Sequence, residues 1–214
     1  MPRIDQARAW YPANDPVHGF DHVLRVLRMA EALGEELGAD LTVLRAAALL
    51  HDAAGAVPGP DSDRQTHEQA SAAFAAQVLI GEGWPDERVE AVAHCVRTHR
   101  YRGAEAPRTL EAKILYDADK LDVLGAFGVA RTIGYAIQAG QPIFAEPSAQ
   151  FRGSGKGIPG EPHSAYHEYL FKLQRVADRL HTERARQIGR RRAQLMRAFF
   201  EGLAAEAAGR DTDQ

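Results

Sequence analysis

A single cysteine, Cys95, in 214 residues excludes an internal disulfide framework and any cysteine-rich zinc site, and it fits a reducing compartment. No run of about 18 apolar residues occurs, so no membrane span is expected, and the start MPRIDQARAWYP lacks the apolar segment of a secretion signal. The net charge of -3 provides no general attraction to nucleic acid or to an anionic membrane, so neither is expected as a partner. Only four of the 26 basic residues are lysine (Lys113, Lys120, Lys156 and Lys172), a bias of coding composition to which no function is attached. Internal repeats and alternating strand patterns are also missing, which leaves an all-α fold in a cytoplasmic protein as the expectation.

What is present is an ordinary globular composition, 45% hydrophobic and 26% charged, at a length that suits one domain. That domain is expected over residues 1–214, with a core at about 18–137, a long loop at 138–162 and C-terminal helices at 163–207. From Phe20, Val23, Val26, Leu27, Ala30 and Leu33 recur on one helical face, with Asp21 as the N-cap and His22 and Arg25 in the opening turns. A second helix begins after Thr42 and runs through an apolar stretch into His51 and Asp52, stopping near Gly55 and Pro58. A third, from about Arg64 to Leu79, carries His67, and a fourth, from about Asp86 to Thr98, carries His94. The fifth, from Leu110, is apolar almost all round and contains Gly125, Gly128 and Gly134, which permit close approach or a break. Residues 138–162, rich in Gly and Pro, read as a surface loop of the length that forms lids. Helices at about 165–180 and 183–207 follow, the last bearing Arg184, Arg186, Arg190, Arg191 and Arg192 as a solvated face.

The chemistry concentrates in AAALLHDAAG, residues 46–55, where an apolar helix ends in adjacent imidazole and carboxylate groups. A buried charge without a partner costs several kcal/mol or more, so a chain that keeps one there supplies a cation or a counter-ion. Four groups from three helices, His22, His51, Asp52 and Asp117, form a mixed nitrogen and oxygen set of the kind assembled in a bundle core. Such a set suits a divalent ion, Mn foremost, with Mg, Co, Ni, Fe or Zn also compatible. A core network of salt bridges and histidines is the alternative.

The order His, then His-Asp, then Asp resembles the HD superfamily of metal-dependent phosphohydrolases. The segments DHVLRV, ALLHDAA, AHCVRTHRY, TLEAKILYDADKLDVLGAFGVARTI and YHEYLFKL further resemble a bacterial subgroup that includes nucleoside triphosphate pyrophosphohydrolases. The resemblance implies a helical HD fold, a metal held by His22, His51, Asp52 and Asp117, and a nucleotide substrate. The reaction it implies is cleavage of a (deoxy)nucleoside triphosphate to monophosphate and pyrophosphate. Members of the family with an acidic residue shortly after the dyad use it for proton transfer or loop binding, but this chain has Ala53, Ala54 and Gly55 there. A metal lowers the pKa of bound water from 15.7 toward roughly 7, so no strong base is required nearby.

Lys120 falls at i+3 from Asp117 and is expected to face the site as a catalytic and phosphate-binding cation. Arg25 and Arg131 are further phosphate-binding candidates, and His94 and His99 candidate proton carriers. Asp119 and Asp122 form a further i, i+3 pair, of which at least one is expected to be structural, capping or pairing with an arginine. His67, His94 and His99 raise a second possibility, a binuclear cyclic-nucleotide phosphodiesterase or a nucleotide phosphomonoesterase. Five residues turn a helix by roughly 140°, however, so His94 and His99 face one ion only if the helix ends between them. A non-catalytic nucleotide-binding module is the remaining alternative, and a homodimer is allowed for.

Overall fold

The computed structural model describes residues 1–11, 19–53, 67–100 and 105–210, and every regular element among them is helical. The 55–63 loop, the expected start of the third helix at Arg64 and most of the HRYRG turn lie outside the described residues, as does the His67 side chain. The described residues group into two compact units, Met1–Asp119 and Lys120–Gln214.

In the first unit α1 (Ile4–Arg8), α2 (Phe20–Leu37), α4 (His67–Gly81) and α5 (Asp86–Thr98) pack around α3 (Leu41–Leu50). The apolar face of α2 is buried from Val23 to Leu33, and the helix stops at Gly38, whose left-handed φ of 72° lets its N–H reach the Gly34 carbonyl. Gly19, not Asp21, is the N-cap of α2; Asp21 lies in the first turn, where its charge complements the helix dipole. Asp40 caps α3, its Oδ1 accepting from the Thr42 and Val43 amides at 2.8 and 3.2 Å, so this helix starts ahead of Thr42. From Ala46 to Leu50 α3 is buried on every side, so removing a side chain such as Leu50 is expected to cost about 2–5 kcal/mol. The end of α3 that leads into His51 therefore cannot drift without disturbing the core.

α6 (Leu110–Asp122) is buried at Ala112 and from Ile114 to Asp119, and the boundary between the units falls within it. The expected fifth helix is two helices, because Gly125 at φ 71° begins α7 (Gly125–Gln138) on a new course. Gly128 is the close approach: a Cβ there would collide with the Val123 carbonyl and stand 2.7 Å from Met196 Cε. In the second unit α7, α9 (Ala165–Phe171) and α10 (Glu183–Ala207) enclose a core of Leu124, Tyr166, Tyr169, Val176, Met196 and Phe200. Helix α9 is shorter than expected and passes into two 3₁₀ turns at Leu173–Arg175 and Ala177–Arg179.

The Gly- and Pro-rich stretch is more built than its composition suggests. Ser148 caps α8 (Ala149–Ser154), and Glu161 accepts hydrogen bonds from the Ser148 amide, the Ser148 hydroxyl and the Ile158 amide, each at 2.7 Å. Those donors hold the Glu161 carboxyl down at about 2. Within the arginine cluster of α10, Arg186 and Arg190 pair with Glu183, whereas Arg192 is half-buried and donates to the Leu121 carbonyl at 2.6 Å.

Candidate metal centre

The centre starts from the way α3 ends. A helix leaves its last carbonyls without intrahelical donors, and here the His51 Nδ1 takes one of them, lying 2.7 Å from the Ala48 oxygen. A carbonyl only accepts, so the proton is assigned to Nδ1 and the Nε2 of a neutral ring carries a lone pair. The ring is neutral: burial, with His99 and His22 adding to it against the opposing pull of Asp52, lowers the His51 pKa to about 4. Nε2 is buried and has no hydrogen-bond partner among the described residues.

That lone pair faces a carboxylate. The Asp52 Oδ2 is 3.5 Å from His51 Nε2, and because the ring is neutral this is two acceptors meeting rather than an ion pair. His22 Nε2 stands 3.4 Å from Asp119 Oδ1. The rings of His22 and His51 cross edge to face with centroids 5.4 Å apart, and one donor atom from each of His22, His51 and Asp119 lies within 4.8 Å of the others. Nitrogen and oxygen ligands sharing one ion at about 2.1 Å stand about 3 Å apart, close to the separations found here. Two imidazole nitrogens and carboxylate oxygens are the donor set of a borderline divalent ion. The residues fit a cation.

Asp52 also reaches the end of α5. His99 is the C-cap of that helix, so the helix does end between His94 and His99; its Nδ1 lies 2.6 Å from the Val96 carbonyl, and its Nε2 is 3.3 Å from Asp52 Oδ1. The rings of His51 and His99 have centroids 5.3 Å apart, and the Asp52 carboxylate lies against both of these buried imidazoles.

Asp117, expected as a ligand, is not in the group; Asp119 takes that place. Residues two apart on a helix differ by about 200°, so the two carboxylates cannot serve the same site. Lys120, as the immediate neighbour of Asp119, lies about 100° round the helix from it rather than on the same side. Asp122 shares the side of Asp119 and is held by Arg131 at 2.6 Å, the structural pairing expected of one of these two acids, so the Arg131 guanidinium is engaged there. Arg25 is ion-paired with Asp21 one turn back. His94 does not carry a free ring nitrogen as expected of a proton carrier: Nδ1 lies 3.0 Å from Glu105 Oε1, and Nε2 accepts from the Arg108 amide at 3.1 Å. That ring ties residues 105–108 to α5. Cys95 is buried with its thiol pushed up to about 12, a packed side chain rather than a nucleophile. Asp119 was missed because DADKLD offers three acids, and choosing among them requires the rotational setting of α6.

Comparison with known proteins agrees with this architecture. The sequence model of the HD domain matches residues 19–124, the span from the start of α2 to the end of α6 and the two residues beyond it. The chain belongs to the HD domain family. Among its relatives is the uncharacterized protein YpgQ of Bacillus subtilis, 29% identical over 221 residues, covering 100% of this chain and 98% of that one. The crystal structure of YpgQ in complex with ADP superimposes with a TM-score of 0.74 at 27% identity, over 98% of this chain and 100% of that one. That of an HD-superfamily hydrolase from Bacillus thuringiensis gives 0.69 at 25% identity, over 96% of each chain.

Proposed function

We propose that this HD domain protein is a metal-dependent phosphohydrolase that cleaves (deoxy)nucleoside triphosphates to monophosphate and pyrophosphate. The observation carrying the proposal is the fixed, neutral His51, whose buried Nε2 lone pair faces Asp52 within reach of His22 and Asp119. Acceptors held against one another repel unless a cation lies between them. The nucleotide is supported by the ADP bound to YpgQ, a relative over the full length of the chain.

His22, His51, Asp52 and Asp119 would hold the ion, with Mn²⁺ the expected metal. A divalent ion in such a set acidifies water and polarises a phosphoryl oxygen. His51 would offer its Nε2 lone pair, and His22 with the Asp52 and Asp119 carboxylates would complete the set. His99, with Nδ1 fixed on Val96, holds or moves a proton at Nε2 beside Asp52. Arg25, ion-paired with Asp21 on the helix that carries His22, is the candidate cation for phosphate oxygens.

Purified protein with Mn²⁺, presented with nucleoside and deoxynucleoside triphosphates, monophosphates and cyclic nucleotides, is expected to release pyrophosphate from triphosphates. Inorganic phosphate released from monophosphates would instead favour a phosphomonoesterase. Tight nucleotide binding without product would favour a regulatory module.

A further inference from the structure

The HD domain match begins at residue 19, yet a side chain upstream of it reaches the end of α3. Tyr11 is buried, and its hydroxyl donates to the Leu49 carbonyl at 2.9 Å. Three consecutive carbonyls at this helix terminus are thereby satisfied: Ala48 by His51 Nδ1, Leu49 by Tyr11, and Leu50 by the Ala53 amide at 3.2 Å. Two of those donors belong to the dyad or the residue following it, so the external fixing point is the tyrosine.

The same ring holds the start of α2. Tyr11 packs on Phe20 with centroids 5.4 Å apart, and the Arg8 guanidinium carbon lies 4.7 Å from the centroid of the Phe20 ring. Phe20 opens the helix whose first turn carries His22. Helix α1 itself packs on α3, with Ala7 fully buried. One side chain therefore touches both ligand-bearing segments, by hydrogen bond to α3 and by ring contact to α2.

From this geometry we infer that Tyr11 is a positioning residue of the metal centre: it fixes the end of α3 against the start of α2, so that His51 and Asp52 meet His22 at ligating distance. The inference rests on the metal reading above and adds to it a residue outside the matched domain. Partners that orient metal ligands typically contribute 10–100-fold to metal affinity.

The test is Mn²⁺ titration of the full chain, following free Mn²⁺ by electron paramagnetic resonance, with melting of the metal-free proteins alongside. Four proteins are compared: wild type, Tyr11→Phe, Leu79→Ala and His51→Ala. Tyr11→Phe keeps the ring and loses only the hydroxyl, and its Kd for Mn²⁺ is expected to rise 10–100-fold. Leu79, fully buried on α4, is the stability control: its truncation is expected to lower the melting temperature at least as much while leaving the Kd within twofold of wild type. Leu79→Val replaces it if the alanine variant does not fold. Tyr11→Phe binding within twofold of wild type, while His51→Ala loses Mn²⁺, overturns the role of Tyr11 and leaves the metal reading intact. An equal loss in the Leu79 variant also overturns it, since affinity would then follow stability. Wild type that binds no more Mn²⁺ than His51→Ala removes the metal reading and the inference with it.

Discussion

His22 and Asp119 stand 97 residues apart in the sequence, yet the imidazole Nε2 of one lies 3.4 Å from a carboxylate oxygen of the other, and both side chains are buried. Each is carried by a formed helix, His22 in the first turn of α2 and Asp119 within α6. Groups on rigid elements keep their separation whether or not anything occupies the space between them, which preorganises a site for a ligand of matching charge.

Asp119 and Asp117 should therefore respond differently to substitution. Asp119→Asn is expected to weaken Mn²⁺ binding by more than roughly 100-fold, beyond the loss of an outer partner. Asp117→Asn, a change at a fully buried acid outside the group, is expected to cost about 1–3 kcal/mol of stability and to leave Mn²⁺ affinity within about threefold. Isothermal titration with thermal melts separates the two.

The metal-free protein should lose stability in mild acid. His51 is held down at about 4 in the folded chain, whereas its ordinary value is 6.5. Between these values the unfolded chain takes up a proton that the folded chain refuses, so stability rises with pH across this window. The contribution is fully present above 6.5 and is lost as pH falls toward 4, amounting to about 3 kcal/mol. Urea unfolding at pH 7.5 and 4.5 is expected to show that loss, and His51→Asn to flatten it.

Two histidines five residues apart are expected to fail in different ways. His99→Gln, with Nε2 facing Asp52, should lower kcat roughly 10²- to 10⁴-fold on a substrate that the wild type turns over. His94→Gln breaks the ties to Glu105 and the Arg108 amide, and should lower stability by about 1–3 kcal/mol. Steady-state kinetics and melts on both variants check this.

Cys95, whose thiol is pushed up to about 12 by burial, should resist thiol reagents in the native protein at pH 8 and react stoichiometrically once unfolded. A chromogenic disulfide reagent with and without denaturant measures it.

Much of the fold was legible because α2, α5 and α10 carry strong helical periodicity between identifiable ends: α5 at Asp86–Thr98 and α10 at Glu183–Ala207 fall where periodicity puts them. The break at Gly125 was readable only as one of two uses of a glycine, since a left-handed φ and a close approach share that residue type. His22 and His51, which the structure brings together with Asp119, lie at one helix start and one helix end, where the sequence pattern points. The choice of Asp119 over Asp117 was not, because a two-residue register depends on how α6 is rotated in its packing, and local sequence leaves that open. Tyr11 carried no signal at all: its role exists only through the Leu49 carbonyl, 38 residues away.

The most direct measurement is anomalous diffraction at the manganese edge from crystals of the wild-type chain grown with Mn²⁺. The predicted result is one peak bounded by His22 Nε2, His51 Nε2 and the Asp119 and Asp52 carboxylates. Peaks confined to surface carboxylates, or none while the four side chains keep their present contacts, would contradict the account.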